Sequence, residues 1–392
     1  MLADMVASTE AARLLTYHPD RMELRRYRYL RVRVRRTPPG ADVLRSDRSG
    51  ARKTGAITES VLAEGRWFRV PVRREGVFRI DAAYLRDSLG LNPGSIDPAS
   101  VGVYGNGGRR LPAANDAPRP RDLLPHAAMA VGGGDGSFDE GDGVYFYGAA
   151  PHGWDPRDSD RSGAPAWSHY RNPFSNENAY FIRVDDPSPP RVGSGGTDVS
   201  AGPAIDRQRA RRFNEIDEVN LGADGGSGLD WLGRPFPQGQ DRLALEVAER
   251  PFALAGPVRV RTRFAVQSDR GSRVDVLLGE EVGVSANLQR TFNTQIGLVA
   301  RPATRTFVQH TSAGGPLRVR VRLAESGAGG NAYLDFAELT YLQRLEAGGG
   351  TLRFHAPVDT SGTLRFSLEG FSERPRVRSE ERRVGKECIV KC

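Results

Sequence analysis

Residues 135–142, Asp135-Gly136-Ser137-Phe138-Asp139-Glu140-Gly141-Asp142, place four acidic side chains and two glycines in eight positions. Hard cations such as calcium take oxygen ligands from sequences of this kind when a tight turn gathers the carboxylates. Asp135, Asp139 and Asp142 are therefore the candidate calcium ligands. The spacing is not that of an EF-hand, and no closing Glu follows. An Asp/Gly turn between two strands needs the same residues and no ion, and it is the favoured reading.

Other chemistry finds less support. Gly105-Asn106-Gly107-Gly108-Arg109-Arg110 has the glycines of a phosphate-cradling loop, but the pattern after it does not open a helix whose N-terminus could hold an anion. His18, His126, His152, His169, His310 and His355 form no closely spaced ligand pair, which argues against a zinc site. No G-x-S-x-G elbow occurs. Cys388 and Cys392 are the only cysteines, so neither a disulfide framework nor a catalytic cysteine with its partners is legible. Catalytic and cofactor-binding residues are thus expected to be none.

Two arginine rows could bind sulfated or phosphorylated glycans: Arg259, Arg261 and Arg263, and Arg318, Arg320 and Arg322. The commoner role of such rows is a solvated sheet face, with arginine stems covering apolar surface. Trp154, Trp167, Tyr170, Phe174, Tyr180 and Phe181 crowd one region, where core packing explains them as well as stacking on a sugar would.

The elements that carry these residues read as strands. Val258, Val260, Thr262, Phe264 and Val266 alternate with the first arginine row, and Leu317, Val319, Val321 and Leu323 with the second, the period of half-buried strands. Residues 67–72 and 76–80 read as two strands with a turn. Asp81 then caps a short helix with Tyr84, Leu85 and Leu89 on one face and Gly90 as its stop. The expected fold class is all-β: tandem β-sandwich-like domains with long loops and at most one or two short helices. The expected organisation is the end of a propeptide-like β-domain at 1–36, a linker at 37–60, a β-rich domain at 61–200, a sandwich at 207–345 and the truncated start of a further β-unit at 346–377. Glycine-rich stretches at 193–202 and 348–350 mark the boundaries.

Of the three lysines, Lys386 and Lys391 lie in the last fifteen residues with both cysteines, a composition foreign to the rest of the chain. Residues 378–388 resemble the translation of a short-read sequencing adapter, so 378–392 is expected to be an artefact and the natural chain to run on from Val377. The formal net charge of +8 includes five basic and three acidic residues from that tail, leaving +6. Such a charge draws polyanions, yet arginine accounts for nearly all of it, alongside abundant Ala, Gly and Pro that share GC-rich codons. Nucleic acid is therefore not an expected partner. No run approaches the ~18 consecutive apolar residues of a membrane-crossing helix. The first residues lack the basic and apolar regions of a secretory signal, so an exported protein would need one upstream.

A series of motifs carries a family resemblance. In order they are Gly65-Arg66-Trp67-Phe68-Arg69-Val70, Glu75-Gly76-Val77-Phe78-Arg79-Ile80, Ser95-Ile96-Asp97-Pro98, Val103-Tyr104-Gly105-Asn106-Gly107-Gly108, Asp135-Gly136-Ser137-Phe138-Asp139, Val144-Tyr145-Phe146-Tyr147-Gly148, Pro151-His152-Gly153-Trp154 and Asn172-Pro173-Phe174-Ser175-Asn176-Glu177-Asn178. The series resembles the N-terminal region of the type IX secretion sortases, relatives of the gingipain cysteine peptidases. The resemblance implies a cell-surface, outer-membrane-associated protein. Its full-length form would cleave C-terminal secretion domains from cargo and attach the cargo to anionic lipopolysaccharide. It implies secretion-system outer-membrane proteins and secreted cargo as partners, with anionic glycan as a further one, and a catalytic Cys and His in a later α/β domain. A free-standing carbohydrate-binding or adhesive surface module is the alternative.

Overall fold

Val258, Val260, Thr262, Phe264 and Val266 are buried on one face of a strand, Gly256–Gln267, and Arg259, Arg261 and Arg263 lie on the other. The protein is seen in a computed structural model. It describes residues 60–348 apart from 109, 112–113, 115, 118, 158–165, 193–203, 221–230, 249–251, 294–296 and 299. It also describes 6–8, 31–33, 351–355, 365–371, 376–381 and 386–391. The expected linker up to residue 59, the boundary at 193–202, most of the expected domain end at 1–36, His18, Gly349 and Gly350 lie outside the described residues.

The chain divides into two compact units, Met1–Ile205 with Ala347–Cys392, and Asp206–Glu346. The first is built on β1 (Trp67–Val72), β2 (Gly76–Ile80), β3 (Gly102–Gly105), β4 (Leu124–His126), β5 (Met129–Val131), β6 (Gly143–Gly148), β7 (Gly153–Arg157), β8 (Ala166–Tyr170) and β9 (Asn178–Arg183). One antiparallel sheet runs β1-β9-β3-β4, a second runs β2-β6-β5, and β7 pairs with β8. Alternate residues of the two larger sheets, among them Val70, Val72, Ile80, Val103, Val144, Phe146, Tyr180 and Ile182, meet in one core. Burial of this kind stabilises a side chain of Val or Phe size by about 1.5–3 kcal/mol.

The helix expected after Asp81 is present in a widened form. Asp81 Oδ1 accepts from the Tyr84 N–H at 2.8 Å. The Leu89 N–H reaches back to the Tyr84 carbonyl, so Tyr84–Ser88 winds as a π-helix. Leu85 is fully buried, and Gly90 takes φ +65°, where a glycine stops a helix at least cost. Val61–Ala63, Pro93–Ser95 and Pro98–Ser100 are single 3-10 turns, each started by a side-chain cap from Ser60, Asn92 or Asp97.

The second unit is a sandwich of β10 (Arg207–Glu215), β11 (Asp241–Val247), β12 (Gly256–Gln267), β13 (Ser272–Leu278), β14 (Glu281–Leu288), β15 (Arg301–Thr311), β16 (Leu317–Glu325) and β17 (Asn331–Arg344). Its sheets run β10-β17-β12-β15 and β11-β16-β13-β14, and Phe236–Pro237 adds a short pairing to β17. Val260, Phe264, Val274, Val319, Val321, Leu334 and Leu339 are among the residues of the shared core. Arg207 lies opposite Arg344, so the unit begins and ends at one place.

From Ala347 the chain groups with the first unit. Within 346–377, where the start of a further β-unit was expected, Thr351–His355 and Arg365–Phe366 are strands that do not pair with each other. Arg365–Phe366 lies parallel to Ala204–Ile205, and Thr351–His355 is antiparallel to Lys386–Lys391, which also pairs with Arg376–Glu381. The two runs instead meet through their side chains, with the Phe354 and Phe366 rings 4.9 Å apart.

Candidate functional site

The acidic loop leads into β6 and spends its carboxylates on its own backbone. Asp135 Oδ1 accepts from the Ser137 N–H at 3.0 Å and Asp142 Oδ2 from the Asp139 N–H at 2.9 Å. The Asp142 N–H donates to the Asp139 carbonyl at 3.2 Å. The Ser137 N–H holds the Asp135 carboxyl below its usual range. The Asp135 carboxylate pushes Asp139 up. The Asp142 carboxyl occupies the space where a residue other than glycine at 132 would put its Cβ, and Gly132 has φ +83°. Phe138 at the loop's centre is buried in the core. Among the described residues no three His, Cys, Asp or Glu side chains converge as metal ligands. What this geometry does is close a turn.

Both arginine rows face carboxylates on neighbouring strands and, at Glu280, on a turn. On β16, Arg318 meets Glu246 at 2.7 Å, Arg320 meets Asp241 at 3.0 Å and Glu280 at 2.9 Å, and Arg322 meets Asp241 at 2.5 Å. The Arg322 hydrogen bond holds Asp241 low, and Asp241 in turn raises Arg322. On β12, Arg261 bonds Glu338 at 2.7 Å and Arg263 bonds Asp335, both carboxylates coming from β17 and both buried. Burial outweighs the Arg263 contact at Asp335 and pushes its pKa up to about 6. These rows are cross-strand ion-pair ladders, and their positive charge is largely matched within the sheets.

The motif blocks of the first unit converge. Asn172 donates through Nδ2 to the Gly108 carbonyl at 3.1 Å, and its backbone N–H donates to His152 Nδ1 at 3.0 Å. Asn178 Nδ2 donates to the Ala149 carbonyl at 2.9 Å, and the Ala149 N–H donates to the Tyr180 hydroxyl at 2.8 Å. Gly108, at φ +72°, leaves the room that Asn178 fills. His126 Nε2 lies 3.0 Å from the Gly105 carbonyl and must be the protonated nitrogen; burial lowers its pKa. The loop after β3 and the loop before β9 are thus fastened by buried amides, and the glycines serve this packing.

The remaining sequence-predicted residues scatter. His169 packs against Trp154, His355 against Trp167, and His310 is exposed on β15. Of the aromatic group, Trp167 and Tyr180 are buried, but Phe174 is 72% exposed and does not belong to the core. Reading periodicity did not single out the Asn172 and Asn178 contacts. Apart from the family motif that contains them, the signal was three asparagines within a polar, proline-containing run, which is also how an ordinary turn looks.

The architecture defines an all-β, multi-sheet protein in which a sandwich of a five-stranded and a four-stranded sheet is interposed in the chain of a second β-unit. Among solved structures it is similar to dimeric latent PorU from Porphyromonas gingivalis, with TM-score 0.60 and 19% identity over 85% of this chain and 31% of that one. The chain therefore has the fold of a region of PorU and spans about a third of its length. A carbohydrate-binding module, CBM36 in complex with calcium and xylotriose, matches 33% of the chain at TM-score 0.21 and 16% identity, covering 98% of the module. An Arthrobacter globiformis isomalto-dextranase complexed with panose matches 70% of the chain and 34% of its own at TM-score 0.21 and 12% identity. Likeness at that level carries no functional argument. No protein-family model and no curated protein matches the sequence.

Proposed function

We propose that the chain is the non-catalytic front part of a type IX secretion sortase of the gingipain-like cysteine peptidase kind, exported and held at the outer-membrane surface. The observation that carries this reading is the PorU fold over 85% of the chain. The sequence motifs that resemble the sortases support it, since several of them form the buried amide network that fastens two loops of the first unit. On this reading the β-units position a protease domain and meet cargo and secretion-system proteins. The whole protein would remove secretion domains and join cargo to anionic lipopolysaccharide.

Sequencing the gene through the Val377 codon with long reads tests the proposal. The expected frame continues in place of 378–392 into an α/β domain with a Cys nucleophile and a His base, because a thiol needs such a partner to be a reactive thiolate near neutral pH. It also extends upstream of Met1 to a signal peptide. A stop codon soon after Val377, or a continuation lacking the Cys–His pair, would overturn the reading. Tight binding by residues 64–344 on a glycan array would then favour a carbohydrate-binding module.

A further inference from the structure

In the sheet β1-β9-β3-β4, Asn178 at the start of β9 pairs with Val72 at the end of β1, and Tyr180 pairs with Gly105 at the end of β3. Gly105 in turn pairs with Leu124 at the start of β4. The β1–β2 turn, the loop after β3, the loop before β9 and the entry to β4 therefore all lie at one end of this sheet. That end holds the two most exposed large apolar side chains among the described residues, Phe174 at 72% and Leu111 at 64%, together with Leu124 at 50%. Among the described residues, Leu62 at 44% and Val192 at 48% are the other exposed large apolar side chains of the unit, so the greatest apolar exposure collects at this end.

Phe174 is held rigidly outward. Its N–H donates to Asn172 Oδ1 at 3.0 Å, while the Ser175 hydroxyl donates to the Glu177 carbonyl at 2.7 Å and accepts from the Glu177 N–H at 3.1 Å. The Gly108–Asn172 bond and the bond from the Arg110 N–H to the Tyr170 hydroxyl at 3.2 Å tie this loop to the one bearing Leu111. The same rim is basic. Arg69 and Arg73 share the single carboxylate of Glu177, at 2.5 and 3.5 Å, and Arg74, Arg110, Arg119, Arg121 and Arg171 are exposed in these loops against Glu75, Asp116 and Asp122.

We propose that this end of the first unit docks on an anionic lipid surface, with Phe174, Leu111 and Leu124 entering the boundary between headgroups and acyl chains and the arginines holding lipid phosphates. Apolar side chains set among arginines suit a headgroup layer, where stems and rings lie in the apolar boundary and guanidinium groups stay with the phosphates. Protein interfaces also enrich arginine and aromatic side chains, so an acidic protein is the competing occupant that the vesicle test separates. Docking needs both components, since a few apolar side chains alone bind a bilayer weakly.

The test uses the whole chain with vesicles of phosphatidylcholine, with and without phosphatidylglycerol. Phe174→Trp gives a reporter beyond the four native tryptophans, and its difference emission should shift to the blue only with vesicles containing phosphatidylglycerol. The combined substitution of Leu111, Leu124 and Phe174 by serine should weaken co-sedimentation at least about tenfold, and Arg73→Glu with Arg74→Glu should do likewise, with circular dichroism unchanged. An unshifted difference emission from the Phe174→Trp variant would overturn the proposal and leave an acidic protein as the better partner. Equal binding to neutral vesicles, or full binding by the serine variant, would overturn it as well.

Discussion

Asp335 is a carboxyl whose folded pKa, about 6, lies above its unfolded value because burial costs more than Arg263 returns. Such a group favours the folded state most below about pH 4, and that contribution is lost as pH rises through 6. Asp335→Asn removes the titration. The stability of the variant relative to the parent should therefore rise between pH 4 and pH 7, by roughly 1–3 kcal/mol, in denaturant unfolding at the two pH values. A relative fall would show that the ion pair outweighs burial. In the acidic loop, Asp135, Asp139 and Asp142 already accept hydrogen bonds or crowd one another. Calorimetry with calcium should show at most weak binding, and submicromolar affinity abolished by Asp139→Ala would prove a cation site there. Gly132→Ala should lower stability by on the order of 1–2 kcal/mol, because alanine must take φ +83° and displace Asp142.

Among the elements, the helical turn after Asp81 separates local from tertiary stabilisation. Asp81→Ala deletes one cap and should cost about 1 kcal/mol, whereas Leu85→Ala empties a fully buried site and should cost about 2–5 kcal/mol. Thermal unfolding of both variants checks the order, and equal losses would mean that the cap governs the turn. The β16 ladder makes a prediction of the opposite sign for binding. Asp241 serves both Arg320 and Arg322, and Glu246 serves Arg318, so these carboxylates mask the row from polyanions. The parent chain should leave a heparin column at low salt, and the double substitution of Asp241 and Glu246 by alanine should require more. Unchanged retention would show that the row does not meet the polymer.

At the scale of the whole molecule, Asp206–Glu346 contains its own core and brings its ends together at Arg207 and Arg344. Residues 206–346 expressed alone should unfold in one cooperative transition with native β-sheet dichroism, and a broad transition would show dependence on the rest of the chain. The strands Gly256–Gln267 and Leu317–Glu325 were plain in the sequence, because a side-chain period of two is written residue by residue wherever one face of a strand is buried. The Asp81–Gly90 turn was plain for the same reason, since caps and stops act within a few residues. What lay beyond the sequence was everything set by pairing at a distance. No local pattern states that the carboxylates of β17 lie against the arginines of β12, that Asn172 and Asn178 close loops 64 and 29 residues away, or that Phe174 points outward while Tyr180 points in. Alternation assigns each residue to a face of its strand, whereas register and sheet order decide what that face meets, and they follow from the packing of the whole unit.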